Sequence, residues 1–290
     1  MGISLRRLAG LCGLLFGLIS GVADPAFAQS SLTIAQQIEA ETGGRVGFAA
    51  LDAGSGARLQ WRGGERFAMM STFKPLACAA YLDLQRRMGG EEQTHRLQAT
   101  ELVTYSPAMQ DRVGELISGH EACAESLRLS DNTAANLVLD MIGGPLGLTA
   151  FLRDQGDTQT RLDRYETDLN SARPGDVRDT TTPTSMLETY ASVLLGEGLS
   201  IDSQDQLIAW MEGNEVSQRL LRDDSPADWR IADRSGAGEY GSRAYIALIR
   251  FEDRAPVLIT AFLTETELSL VERDAALRPL IQAALGELGL

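Results

Sequence analysis

The sequence, 290 residues long, is short of lysine, histidine and cysteine, and each shortage narrows what the protein can be. Among 26 lysines and arginines, Lys74 is the only lysine. Arginine supplies surface charge equally well, but its guanidinium does not release a proton, whereas a lysine ammonium can. The surviving lysine is either an accident of composition or a position that needs a removable proton. Only two histidines occur, His95 and His120, in polar surroundings that predict surface positions. A zinc hydrolase with several histidine ligands is therefore not expected. Neither histidine sits in a motif for a Ser-His-Asp triad, so a hydrolase made from this chain must find another base. The formal net charge of −14 argues against nucleic acid or an anionic membrane as partner, and favours solubility. No metal and no cofactor is expected.

The N-terminus is a separate case. Arg6 and Arg7 precede the apolar run "LCGLLFGLISGVA", and Ala26-Phe27-Ala28 is an A-x-A cleavage site. This predicts a secretory signal peptide over 1–28, removed after Ala28. The run is shorter than the roughly 20 residues a membrane span needs. Cys12 opens the apolar run and does not end it, which argues against a lipid anchor. An exported, periplasmic protein without a membrane anchor follows. Removal of Cys12 leaves Cys78 and Cys123. An even count in an oxidising compartment suggests one disulfide, the alternative being two buried free thiols.

What remains, 29–290, suits one large domain or two intimate ones. "SLTIAQQIEAETGG" (31–44) reads as a helix stopped by glycines, and "RVGFAALDAGSGARLQWRG" (45–63) as a β-hairpin. Helical patterns dominate from about 70 to 222, five of them starting at Ser, Thr, Asp or Gly-Pro signals. After Trp229 come three strands and a final helix. The end segments are expected to join into one antiparallel sheet covered by the terminal helices, with a helical second lobe between them. The predicted α/β lobe is 29–68 with 215–290, and the all-α lobe is 69–214. The predicted fold class is a two-lobe α/β architecture with its site in the cleft between the lobes. Residues 157–182 are polar and break the helical pattern, and a loop that long inside a compact domain is usually functional. Arg164 and Asp179 near its ends would pair and close an Ω-loop over about 161–179.

Three short motifs carry chemistry. Ser71 and Lys74 are spaced i, i+3, so on a helix they share one face. A helix start also offers free N–H groups for a developing oxyanion. Lys74 would accept the serine proton if burial or like charge lowers its pKa. "LSDNTAAN" (129–136) puts Ser130-Asp131-Asn132 at a helix start, where an ordinary N-cap would look the same. "IADRSGAGEYGSR" (231–243) carries Arg234-Ser235-Gly236 on a strand that runs into a glycine turn.

In this order and spacing, the three motifs resemble those of the class A serine β-lactamases, S-x-x-K, S-D-N and K-T-G. The resemblance covers essentially all of 29–290 and adds "RYETDLN" (164–170), similar to that family's Ω-loop. Cys78 and Cys123 match the family's common disulfide. The third motif departs from the pattern, with Arg234 and Ser235 where lysine and threonine are commoner. "RSG", with "LVTYSPAMQ", "GGPLGLTAFLR", "GDVRDTTTP" and "IADRSGAG", looks similar to the carbenicillin-hydrolysing subgroup. The resemblance implies a monomeric enzyme acting on β-lactams through an acyl-enzyme. It makes Ser71 the nucleophile, with Ser71 and Ala237 N–H groups as oxyanion hole. It makes Lys74 and Glu166 the two candidate bases for acylation, and gives Ser130 the proton relay to the ring nitrogen. It places Asn132 on the acylamino side chain, and Arg234, Ser235 and Arg243 on the ring carboxylate. It assigns Glu166 and Asn170 to the deacylating water. Tyr105 is expected to border the cleft. Carbapenem hydrolysis would be weak, since Met70 and Gly238 stand where a flanking cysteine pair would be. A penicillin-binding D,D-peptidase and a β-lactam sensor domain are the alternatives. The Glu166/Asn170 pair speaks against the first, and the absence of a membrane tether against the second.

Overall fold

A computed structural model describes residues 29–290, so the predicted signal peptide, Cys12 and the cleavage site lie outside the described residues. Helix α1 (Ser31–Thr42) starts at Ser30, whose side chain accepts from Thr33 N, and stops at Gly43 in a left-handed conformation. Strands β1 (Arg45–Asp52) and β2 (Arg58–Trp61) form the predicted hairpin, and β3 (Phe67–Ala68) leads to a 3₁₀ turn over Met70–Phe73. That turn runs directly into α2 (Lys74–Arg87). After it come β4 (Thr94–Arg96), β5 (Leu116–Ser118), α3 (Gly119–Arg128), α4 (Asn132–Met141) and α5 (Gly144–Asp154). Then follow β6 (Thr180–Thr181), α6 (Pro183–Leu195), α7 (Ile201–Glu212), β7 (Arg230–Ala237), β8 (Arg243–Arg250), β9 (Val257–Thr264) and α8 (Leu270–Glu287).

The end segments do join, as a five-stranded antiparallel sheet in the order β2-β1-β9-β8-β7. Its central strands are nearly continuous apolar runs because both faces are covered. Alternation along them sorts the side chains into two cores. Val46, Phe48, Ala50, Tyr245, Ala247 and Ile249 pack with residues of α1 and α8, whereas Ala49, Leu51, Ala244, Ile246 and Leu248 pack toward the helical middle. Among the described residues no single helix is long and apolar enough to cross a membrane.

Two sequence expectations need correction. The stretch between α2 and α3 holds no α-helix: Gly89 and Gly90 adopt left-handed φ and end α2, β4 pairs with β5, and only a 3₁₀ turn over Ala99–Glu101 is helical. Helix α3, which the patterns did not single out, is set by a capping box in which Ser118 and Glu121 satisfy each other's backbone N–H. The histidines are half-buried, with His120 stacked edge-on between Tyr81 and Trp210.

The disulfide is present. Cys78 on α2 is bonded to Cys123 on α3, with Cα atoms 5.6 Å apart and a sequence separation of 45. Cys123→Ala is expected to cost about 4 kcal/mol in the chain-entropy picture, read from chemical denaturation. A loss below about 1 kcal/mol would mean that the denatured chain already keeps these two helices together.

Candidate active site

Ser71 sits in the 3₁₀ turn that precedes α2, not on the helix proper, and Lys74 is the first residue of α2. The turn is fixed from several sides. Met69 N donates to Asp179 O at 2.9 Å, Tyr190 OH donates to Thr72 O at 2.8 Å, and β3 pairs with β6 through Ala68 and Thr180. Met70, Ser130 and Tyr105 all have left-handed φ, of 50°, 62° and 64°. Such conformations cost roughly 1–3 kcal/mol each and collect where side chains must be aimed.

These elements bring Ser71, Lys74, Ser130, Asn132 and Glu166 to one place. The Lys74 ammonium is completely buried and donates to Asn132 Oδ1 (2.7 Å), Ser130 O (2.9 Å) and Ser130 Oγ (3.2 Å). Its Nζ is also 3.2 Å from Glu166 Oε1. Burial pushes its pKa down to about 8, with Arg234 adding to the effect and Glu166 opposing it. Ser71 Oγ lies 3.4 Å from Glu166 Oε1 and 3.3 Å from Ser130 Oγ. Four acceptors thus surround an amine with three hydrogens, so a proton can be handed among the groups without large movement.

Glu166 comes from the long polar loop, which the predicted Arg164–Asp179 pair does close, at 2.6 Å between Nε and Oδ2. Asn136 holds the Glu166 backbone from both sides, accepting from its N–H at 2.9 Å and donating to its carbonyl at 3.0 Å. Asn170 Nδ2 donates to Glu166 Oε2 at 2.6 Å. On the other flank Asp131 caps α4 through Ala134 N and also accepts from Ala108 and Met109 N–H, which ties the Tyr105 segment to the motif.

Strand β7 forms the opposite wall. Gly236 passes so close to the serine that a Cβ there would lie 2.7 Å from Ser71 N, which only glycine avoids. Gly238 N donates to Ser242 O at 3.1 Å, and alternation along an antiparallel strand turns the Ala237 N–H the other way, toward the cleft. As an edge strand, β7 has no neighbour on that side. Arg234 is fully buried, and burial pushes its guanidinium down to about 10, still charged at neutral pH. Ser235 Oγ accepts from Ser217 Oγ at 2.9 Å, and Arg243 Nε is bonded to Asp274 Oδ1 at 2.6 Å.

A cleft of about 660 Å³ is lined by Ser71, Tyr105, Ser130, Asn132, Asn170, Arg234, Ser235, Ala237 and Arg243. Lys74 and Glu166 lie buried just beneath its floor. Tyr105 stands half-exposed at the rim. All the residues singled out from the sequence therefore converge. The sequence reading missed Asn136, Asn214, Ser217 and Asp274. Asn136 stands four residues after Asn132 and so shares its helix face, a faint signal; the others carry none.

These features define a two-lobe α/β serine hydrolase, with the serine on a strained turn and a buried amine and carboxylate packed beside it. Over residues 32–287 the chain matches the model of the β-lactamase enzyme family. β-Lactamases CARB-3 and PSE-4 of Pseudomonas aeruginosa are each 43% identical over 241 residues, covering 83% of this chain and 84% of each relative. The solved chromosome-encoded β-lactamase of Vibrio parahaemolyticus superposes with a TM-score of 0.85 at 43% identity, covering 88% of this chain and 99% of the other. A class A β-lactamase representing the last common ancestor of Gram-negative bacteria gives 0.85 at 43% identity, covering 89% and 98%. The chain belongs to the β-lactamase enzyme family.

Proposed function

We propose that this enzyme hydrolyses the β-lactam amide of penicillins, carbenicillin among them, and so confers resistance to them. The observation that carries this reading is the meeting of Ser71 Oγ, Lys74 Nζ, Ser130 Oγ and the Glu166 carboxylate within hydrogen-bonding range in one cleft. In acylation, Ser71 Oγ adds to the ring carbonyl while its proton passes to Lys74 or Glu166. The Ser71 and Ala237 N–H groups receive the oxyanion. When the C–N bond breaks, Ser130 gives its proton to the ring nitrogen and is reprotonated from Lys74. Asn132 meets the acylamino group, and Arg234, Ser235 and Arg243 meet the ring carboxylate, for which arginine's fork of donors is suited. In deacylation, Glu166, supported by Asn170, takes a proton from water as it attacks the ester, and Ser71 leaves with a proton.

The dedicated Glu166/Asn170 pair favours hydrolysis over the D,D-peptidase and sensor alternatives. We assign the α/β lobe to 29–68 with 215–290 and the all-α lobe to 69–214. The reading includes export with cleavage after Ala28, a periplasmic site of action and a monomeric state. Kinetics with benzylpenicillin, carbenicillin and a bulky oxyimino cephalosporin test it. Rapid turnover of both penicillins and slow turnover of the cephalosporin is expected. A single stoichiometric burst, or no reaction, would overturn it.

A further inference from the structure

The two arginines at the carboxylate end of the cleft are held in opposite ways. Arg243 is already neutralised, since its Nε bonds Asp274 Oδ1 at 2.6 Å in a pair that is almost wholly buried. Arg234 has no carboxylate bonded to it. Its Nη1 meets two neutral acceptors, Leu127 O at 3.1 Å and Asn214 Oδ1 at 3.3 Å. Its Nε and Nη2 are buried and have no partner among the described residues. A buried charge left in this state is costly unless an anion completes it.

The adjacent Asp233, on the same strand, is engaged elsewhere. Its Oδ1 accepts from Arg222 Nη2 at 2.8 Å and its Oδ2 from Tyr245 OH at 2.9 Å. Asn214 stands between the buried anion and the buried cation. Its Nδ2 donates to Asp233 Oδ1 at 2.8 Å while its Oδ1 accepts from Arg234. The same Nδ2 reaches Ser217 Oγ at 2.7 Å, and Ser217 in turn donates to Ser235. An amide does all of this with no net charge. A carboxylate of the same shape would neutralise Arg234 and oppose Asp233, and an aliphatic side chain would take one hydrogen bond from each.

We propose that Asn214 is a positioning residue that keeps Arg234 aimed and electrically unneutralised, so that Arg234, more than Arg243, reads the charge of the substrate carboxylate. The inference rests on the β-lactamase reading above.

The test compares benzylpenicillin with its methyl ester, which lacks the charge but keeps the ring. Asn214→Asp should raise KM for the acid about tenfold, equivalent to about 1.4 kcal/mol, with a much smaller change in kcat. The acid-to-ester ratio of kcat/KM should fall by a similar factor. Asp274→Asn, which releases Arg243 from its carboxylate, should move that ratio the opposite way, and decides the matter should the first variant fail to fold. An unchanged ratio, a parallel loss on both substrates, or a lowered ratio in Asp274→Asn overturns the inference. A wild-type enzyme that turns over both compounds equally well overturns it while leaving the parent reading intact. One that turns over neither overturns that reading and this inference with it.

Discussion

Glu166→Gln should turn the enzyme into a single-turnover acyl acceptor. Mixed with a penicillin, the variant is expected to gain the mass of one intact antibiotic, because ring opening by Ser71 expels no atoms. Its kcat should drop by about 10²–10⁴, the usual worth of a positioned general base. The substitution is nearly isosteric, so the geometry around it is kept: Asn136 holds the backbone of residue 166, and Asn170 contacts its side chain. What is lost is the carboxylate that can take a proton 3.4 Å from Ser71 Oγ. Lys74 remains beside the serine, so acylation continues while deacylation stalls. Rapid turnover by the variant would remove Glu166 from deacylation. An unmodified, inactive protein would assign it to acylation as well.

Lys74→Arg tests why this chain keeps one lysine. The substitution preserves positive charge and removes the capacity to lose a proton, so kcat/KM for a penicillin should fall by about 10²–10⁴. The wild type offers a check that requires no substitution. Burial lowers Lys74 to about 8, so its neutral, proton-accepting form grows as pH rises toward that value. Acylation, followed as kcat/KM, should therefore climb with pH up to about 8 and level off above it. A flat profile through that range would mean that Lys74 works as a fixed ammonium and that Glu166 takes the serine proton. A variant that keeps full activity would show the lysine to be a compositional accident.

Much of this architecture could be read before any coordinates, because the relevant signals are local. Alternation over 45–63 and the strands after Trp229 announced the sheet, and capping residues announced most helices. Ser71 and Lys74 were legible as neighbours because a helical turn fixes what three residues of separation means. The Arg164–Asp179 latch was legible because opposite charges bracket a long polar loop. Helix α3 is marked locally as well, since Ser118 and Glu121 spell a capping box. Asn214 is a different matter. Its partners Asp233 and Arg234 lie about twenty residues away on β7, beyond two 3₁₀ turns, and a neutral amide leaves no pattern in composition or period.

The sequence by itself determined the chemical kinds present: one lysine, a serine three residues before it, a glutamate in a polar loop, and arginine where the third motif commonly has lysine. Only the tertiary structure decided their states. It buried Lys74 completely, left Arg234 without a carboxylate and tied Arg243 to Asp274. The physical reason is that residue type fixes which protons and charges are available, whereas their energies depend on desolvation and on neighbours brought together from distant parts of the chain.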